Sequence, residues 1–160
     1  HVIAAKAVAF GEALSKDFKV YQKNVLSNAK CLAESIMKGG LDLVTNGTDT
    51  HLLVVDLQSK NVTGNQIESA LSSANITCNK NSIPFDKEKP TITSGIRLGT
   101  PACTTRGFNN EDFKLIGDWI VKIINNVSEN NGVLQEDLKV NIKTNVKELC
   151  KKFPIYPLLR

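Results

Sequence analysis

Apolar positions fall at helical spacing in several stretches of the chain, and short strand-like runs separate them. From Val2 to Leu14 the chain is Ala-rich and apolar on most sides, which predicts a buried helix. After Asp17, the residues Phe18, Tyr21, Val25, Ala29, Leu32 and Ile36 recur at steps of three and four, marking one face of a helix. Gly39-Gly40 ends it, as a C-terminal glycine commonly does. The two stretches meet near Ser15–Lys16 and are compatible with one long, bent element.

Strand signals follow. Leu41 to Val44 reads as a short strand, Asn46-Gly47 as a turn, and His51 to Leu57 as a second strand. The centre of this second run is continuously apolar, so both of its faces are expected to be covered. Thr63 with Gln66 three residues on has capping-box spacing, and the helix it opens carries Ile67, Ala70, Leu71 and Ala74 inward. Ile76 to Cys78 is expected as a further strand, followed by a polar, Pro-punctuated loop from Asn79 to Pro90 that leads towards Arg97. Asn109 or Asn110 starts a helix with Glu111 and Asp112 in its first turn and Phe113, Ile116, Ile120, Ile123 and Val127 on its buried face. A last helix spans Leu134 to Phe153 with Leu138, Ile142, Val146, Leu149 and Cys150 as its stripe, and Pro154 and Pro157 end the pattern. Helices alternating with short strands and gathering at the C-terminal end predict an α/β two-layer sandwich.

Composition narrows the functional classes. A chain of 160 residues with 41% hydrophobic and 22% charged residues suits one domain with a real core. The formal net charge of +4 comes from scattered lysines, and aromatics make up 6%, which argues against a nucleic-acid interface. Cys31, Cys78, Cys103 and Cys150 lack any C-x-x-C spacing, so neither a zinc site nor a disulfide framework is expected, and a reducing cytoplasm is. No apolar run has the length of a membrane span. His1 opens directly into an apolar segment, which suggests a chain cut inside a larger protein.

One stretch stands out chemically. Ser94-Gly95-Ile96-Arg97-Leu98-Gly99-Thr100-Pro101-Ala102 sets an arginine inside an apolar, Gly-bounded run. A buried guanidinium needs an anionic partner, and arginine suits a carboxylate held by two parallel hydrogen bonds. An internal ion pair and a ligand carboxylate both satisfy that need. His1 and His51 lie in unrelated elements, and neither a G-x-S-x-G elbow nor a phosphate-binding glycine loop is present. Residues alone therefore describe a binding domain, or part of a site completed elsewhere.

Several segments resemble serine hydroxymethyltransferases. They are His1 to Ala9, Gly47-Thr48-Asp49-Thr50-His51-Leu52, Val62-Thr63-Gly64, Asn79 to Pro84, Thr93 to Ala102 and Thr105-Arg106-Gly107-Phe108. They occur in family order, and the likeness extends from His1 to about Tyr156. The resemblance implies the C-terminal part of such an enzyme. Its fold would be the α/β (α+β) two-layer small domain of a fold-type-I transferase, with a short, mainly antiparallel sheet covered by helices. Residues 1–38 would be a long linking helical segment and residues 39–160 the small domain.

It further implies a homodimeric, cytoplasmic enzyme that uses pyridoxal 5′-phosphate. The reaction interconverts serine plus tetrahydrofolate with glycine plus 5,10-methylenetetrahydrofolate. Arg97 matches the arginine that grips the substrate carboxylate, and Asn81 matches a folate-bonding asparagine. Lys89, Pro90 and Thr91 occupy a further folate-contacting position with unexpected residue types. The family's Schiff-base lysine and cofactor-holding residues would precede His1, so the 160-residue chain alone is expected to be inactive. A free-standing carboxylate-binding α/β module and a purely structural or dimerisation domain remain as alternatives.

Overall fold

The computed structural model describes residues 1–155. Tyr156 and Pro157 lie outside them. Among the described residues the chain is mixed α/β, with six α-helices and one four-stranded antiparallel sheet. Two helices open the chain, α1 (Val2–Ala13) and α2 (Lys16–Lys38), as two elements and not one bent one. The break has a local cause: Ser15 is extended, and its hydroxyl accepts from the Phe18 amide as an N-cap. β1 (Asp42–Leu43) and β2 (Leu52–Asp56) follow, then α3 (Gly64–Ser73), β3 (Asn79–Asn81) and β4 (Gly95–Gly99). Three helices close the chain, α4 (Pro101–Thr105), α5 (Asn110–Glu129) and α6 (Glu136–Lys152).

The sheet order is β1-β2-β4-β3. Leu53 and Val55 of β2 and Ile96 and Leu98 of β4 are buried and face one way, towards the helices. Against them pack Ile67 and Leu71 of α3, Leu32 and Ile36 of α2, and Phe113, Ile120, Ile123 and Ile124 of α5. Ile142, Val146 and Leu149 of α6 join the same core, with Leu138 and Cys150 half-buried beside it.

Caps match their sequence signals. Thr63 and Gln66 form a reciprocal capping box on α3, and Asn109 with Asp112 forms another on α5. The Asn46-Gly47 turn is present too, with φ of 51° and 143°.

Several expectations are corrected. α1 is a helix, but an exposed one, with Ile3, Phe10 and Leu14 showing 67–85% of their surface. An apolar composition reports a face that needs a partner without supplying one, and none of the described elements covers it. The third strand is not Ile76–Cys78 but Asn79–Asn81, because Asn75 ends α3 in a left-handed turn (φ 65°) and the ladder with β4 begins at Asn79. The polar loop accordingly starts at Ser82. β2 is covered on one face only: Leu52, Val54 and Asp56 are half-buried between the buried Leu53 and Val55. The short helix α4, opened by Pro101, has no counterpart in the hydrophobic pattern.

Candidate substrate-binding face

The uncovered face of the sheet is where the singled-out residues meet. Register places Arg97 between Val54 on β2 and Asn79 on β3, and Asn81 opposite Gly95. Side chains at a period of two therefore bring Asn79, Asn81, Arg97, Val54 and Asp56 to one face. Arg97 and Asn81 are diagonal neighbours, about 7 Å apart at the backbone.

Arg97 is exposed, which overturns the expectation of a buried guanidinium. The ion pairs among the described residues are Lys80–Glu68, Lys139–Glu136 and Lys151–Glu148, and none involves Arg97. Asp56 is the nearest acid by register, but its Oδ1 accepts from the Gln58 amide at 2.9 Å. Arg106, in the matched stretch just downstream, behaves in the opposite way. Its Nε and Nη2 donate to Phe153 O at 3.0 and 2.8 Å, its Nη2 also reaches Cys150 O, and the guanidinium lies over the Phe108 ring. Arg106 spends its donors on the end of α6. Among the described residues, Arg97 keeps all of its own.

Glycine and a pinned loop shape the surroundings. A Cβ at Gly95 would come within 2.9 Å of Val55 O and Asn81 O, so only glycine lets β3 and β2 close on β4 at that point. The N-terminus of α3 approaches just as closely: Gly64 and Asn65 amides donate to Thr93 O and Ile92 O at 2.8 and 3.0 Å. Residues 82–94 are tied down by Asp86. Its carboxylate accepts from the Ser94 hydroxyl (2.6 Å) and from the amides of Ser94 (2.9 Å), Glu88 (3.0 Å) and Ile83 (3.2 Å). Partial burial pushes this carboxyl up, but those four donors outweigh it and hold the group at about 2.

Lys89, Pro90 and Thr91 form an exposed turn in the same loop, in which Lys89 O accepts from the Ile92 and Thr93 amides. The structure brings Arg97 and Asn81 onto one face. No hydrogen bond links the Lys89–Thr91 turn to either of them, and the Asn81 amide donates to Ser82 O at 2.7 Å. Sequence reasoning missed Asp86 and the Lys80–Glu68 pair, in which Glu68 takes both the Lys80 amide and its ammonium at 3.0 Å. The signal for Asp86 was an acidic residue two positions before a polar amide inside a Pro-flanked loop.

The serine hydroxymethyltransferase family model matches residues 1–120, which takes in the whole sheet together with Arg97 and Arg106. The chain belongs to the serine hydroxymethyltransferase family. It is 56% identical over 159 residues to a serine hydroxymethyltransferase of Ruegeria pomeroyi, covering 99% of this chain and 37% of that protein. Similarity to the enzymes of Jannaschia sp. (55%) and Acidiphilium cryptum (54%) covers 99% and 98% of the chain and 36% of each relative. The chain thus spans little more than a third of the length of the curated relatives it matches. No helix among the described residues is long and apolar enough to cross a membrane.

Proposed function

We propose that the chain is the C-terminal part of a serine hydroxymethyltransferase and that its open sheet face grips the amino-acid carboxylate. The whole protein, on this reading a cytoplasmic homodimer, interconverts serine plus tetrahydrofolate with glycine plus 5,10-methylenetetrahydrofolate. Residues 1–38 form its linking helical segment and residues 39–160 its small domain. The observation that carries the reading is an exposed guanidinium without an anionic partner among the described residues, on a face that also presents Asn81.

Strand residues on that face include no lysine, because Lys80 points to the helix side and is held by Glu68. On this reading the lysine that seats pyridoxal phosphate belongs to another part of the whole protein. What the chain contributes is positioning: two parallel N–H···O bonds from Arg97 fix both the location and the plane of the substrate carboxylate. Asn81, one diagonal away, presents an amide to the folate co-substrate, and the Lys89–Thr91 turn borders that second ligand.

The test is Arg97→Ala in the full-length protein. Among the described residues the Arg97 side chain makes no hydrogen bond or ion pair, so stability is expected to stay within about 0.5 kcal/mol of wild type. Serine and glycine affinity falls by about 2–5 kcal/mol, or roughly thirtyfold to several thousandfold. Wild-type serine affinity in a folded variant would overturn the assignment.

A further inference from the structure

The chain holds two Asn-Gly steps, Asn46-Gly47 and Asn131-Gly132, and the fold treats them differently. Both asparagines are exposed and left-handed, with φ of 51° and 54°. At the second step, the Gly132 amide donates to Val127 O at 2.8 Å as part of the turn that ends α5. A side chain at Gly132 would run into Gln66. At the first step, the Gly47 amide donates to nothing among the described residues, and the space around Gly47 is open. The nearby hydroxyls of Thr45 and Thr48 bond to the carbonyls of Gly47 and Leu52, which leaves that amide free.

We propose that Asn46 is a site of spontaneous backbone-assisted modification in the folded protein, and that Asn131 is protected from it. Base removes the Gly47 amide proton, and the nitrogen attacks Asn46 Cγ. The N–Cγ bond forms, the protonated base returns its proton to the side-chain nitrogen, the bond from Cγ to that nitrogen breaks, and ammonia departs to leave a succinimide. Water then opens the ring at either carbonyl to give aspartate or isoaspartate. No oxidant or cofactor is required. The product places a new carboxylate beside Asp49 on the wall of the groove that α2 forms with the β1–β2 connection, across from Lys30 and Glu34. Isoaspartate also lengthens the turn between β1 and β2 by one methylene.

The experiment is timed incubation of the purified protein in mildly alkaline buffer, native and in urea. It is followed by tryptic mapping of peptides 39–60 and 123–139, with residues placed by fragmentation. Asn46 is the one asparagine in the first of these peptides. Attack at Asn131 must first open the bond held by Gly132. Conversion at Asn46 is therefore expected to run roughly tenfold faster in the native protein, with the two sites converging in urea. Isoaspartate at Asn46 is confirmed by enzymatic carboxyl methylation, and Asn46→Ser abolishes that signal. Equal native rates at the two sites would overturn the proposal. So would an inert native Asn46 that converts once unfolded.

Discussion

Asp86→Ala tests how the loop before β4 holds the sheet face that carries Arg97. The substitution removes one carboxylate that accepts four hydrogen bonds, two of them from the buried Ser94, which immediately precedes the strand carrying Arg97. Orphaning the Ser94 amide and hydroxyl costs about 1–3 kcal/mol for each group. Water reaching the vacated, half-exposed site offsets part of that, and the Glu88 and Ile83 amides at the surface add little. A net loss of about 2–3 kcal/mol is expected, which lowers the melting temperature by about 5–10 °C for a chain of this size.

The carboxyl sits at about 2 against an ordinary 3.8, so its folded pKa is depressed. Its contribution is therefore complete above the unfolded value near 3.8 and disappears as the pH falls towards 2. Thermal melts of wild type and variant should differ at neutral pH and converge in that acid window. An unchanged melting temperature at neutral pH, or a difference that persists undiminished at the acid end, would refute the reasoning.

Asn81→Ala in the full-length protein should weaken folate-dependent turnover by about 1 kcal/mol, roughly fivefold, while sparing folate-independent aldol cleavage. Equal loss of both activities would remove its folate role. Gly64→Ala places a methyl group against Thr93 Oγ1 and Gly95 O, so urea unfolding should show a loss of about 1–3 kcal/mol. A variant as stable as wild type would show that the contact between α3 and β4 yields without cost.

Local physics made much of this chain legible in sequence. The apolar steps of α2 and α5, the capping residues Thr63 and Asn109, and the Asn46-Gly47 turn are each set by interactions within a few residues, and each lies where its pattern placed it. The stretch around Arg97 was also visible, because an arginine between glycines in an apolar run breaks the pattern of its surroundings. Other features depend on what lies across the fold. Whether α1 is buried turns on a partner surface, which composition does not contain.

Where β3 begins turns on the register against β4, so the apolar Ile76–Cys78 lost to the polar Asn79–Asn81. The roles of Arg97 and Arg106 divide in the same way. Arg106 is consumed by carbonyls 44 and 47 residues away in sequence, while Arg97 faces open space because the strand pleat turns it from the helices. Residue type sets what a guanidinium can hold, and the sheet's two-sidedness decides which of the two remains free to hold it.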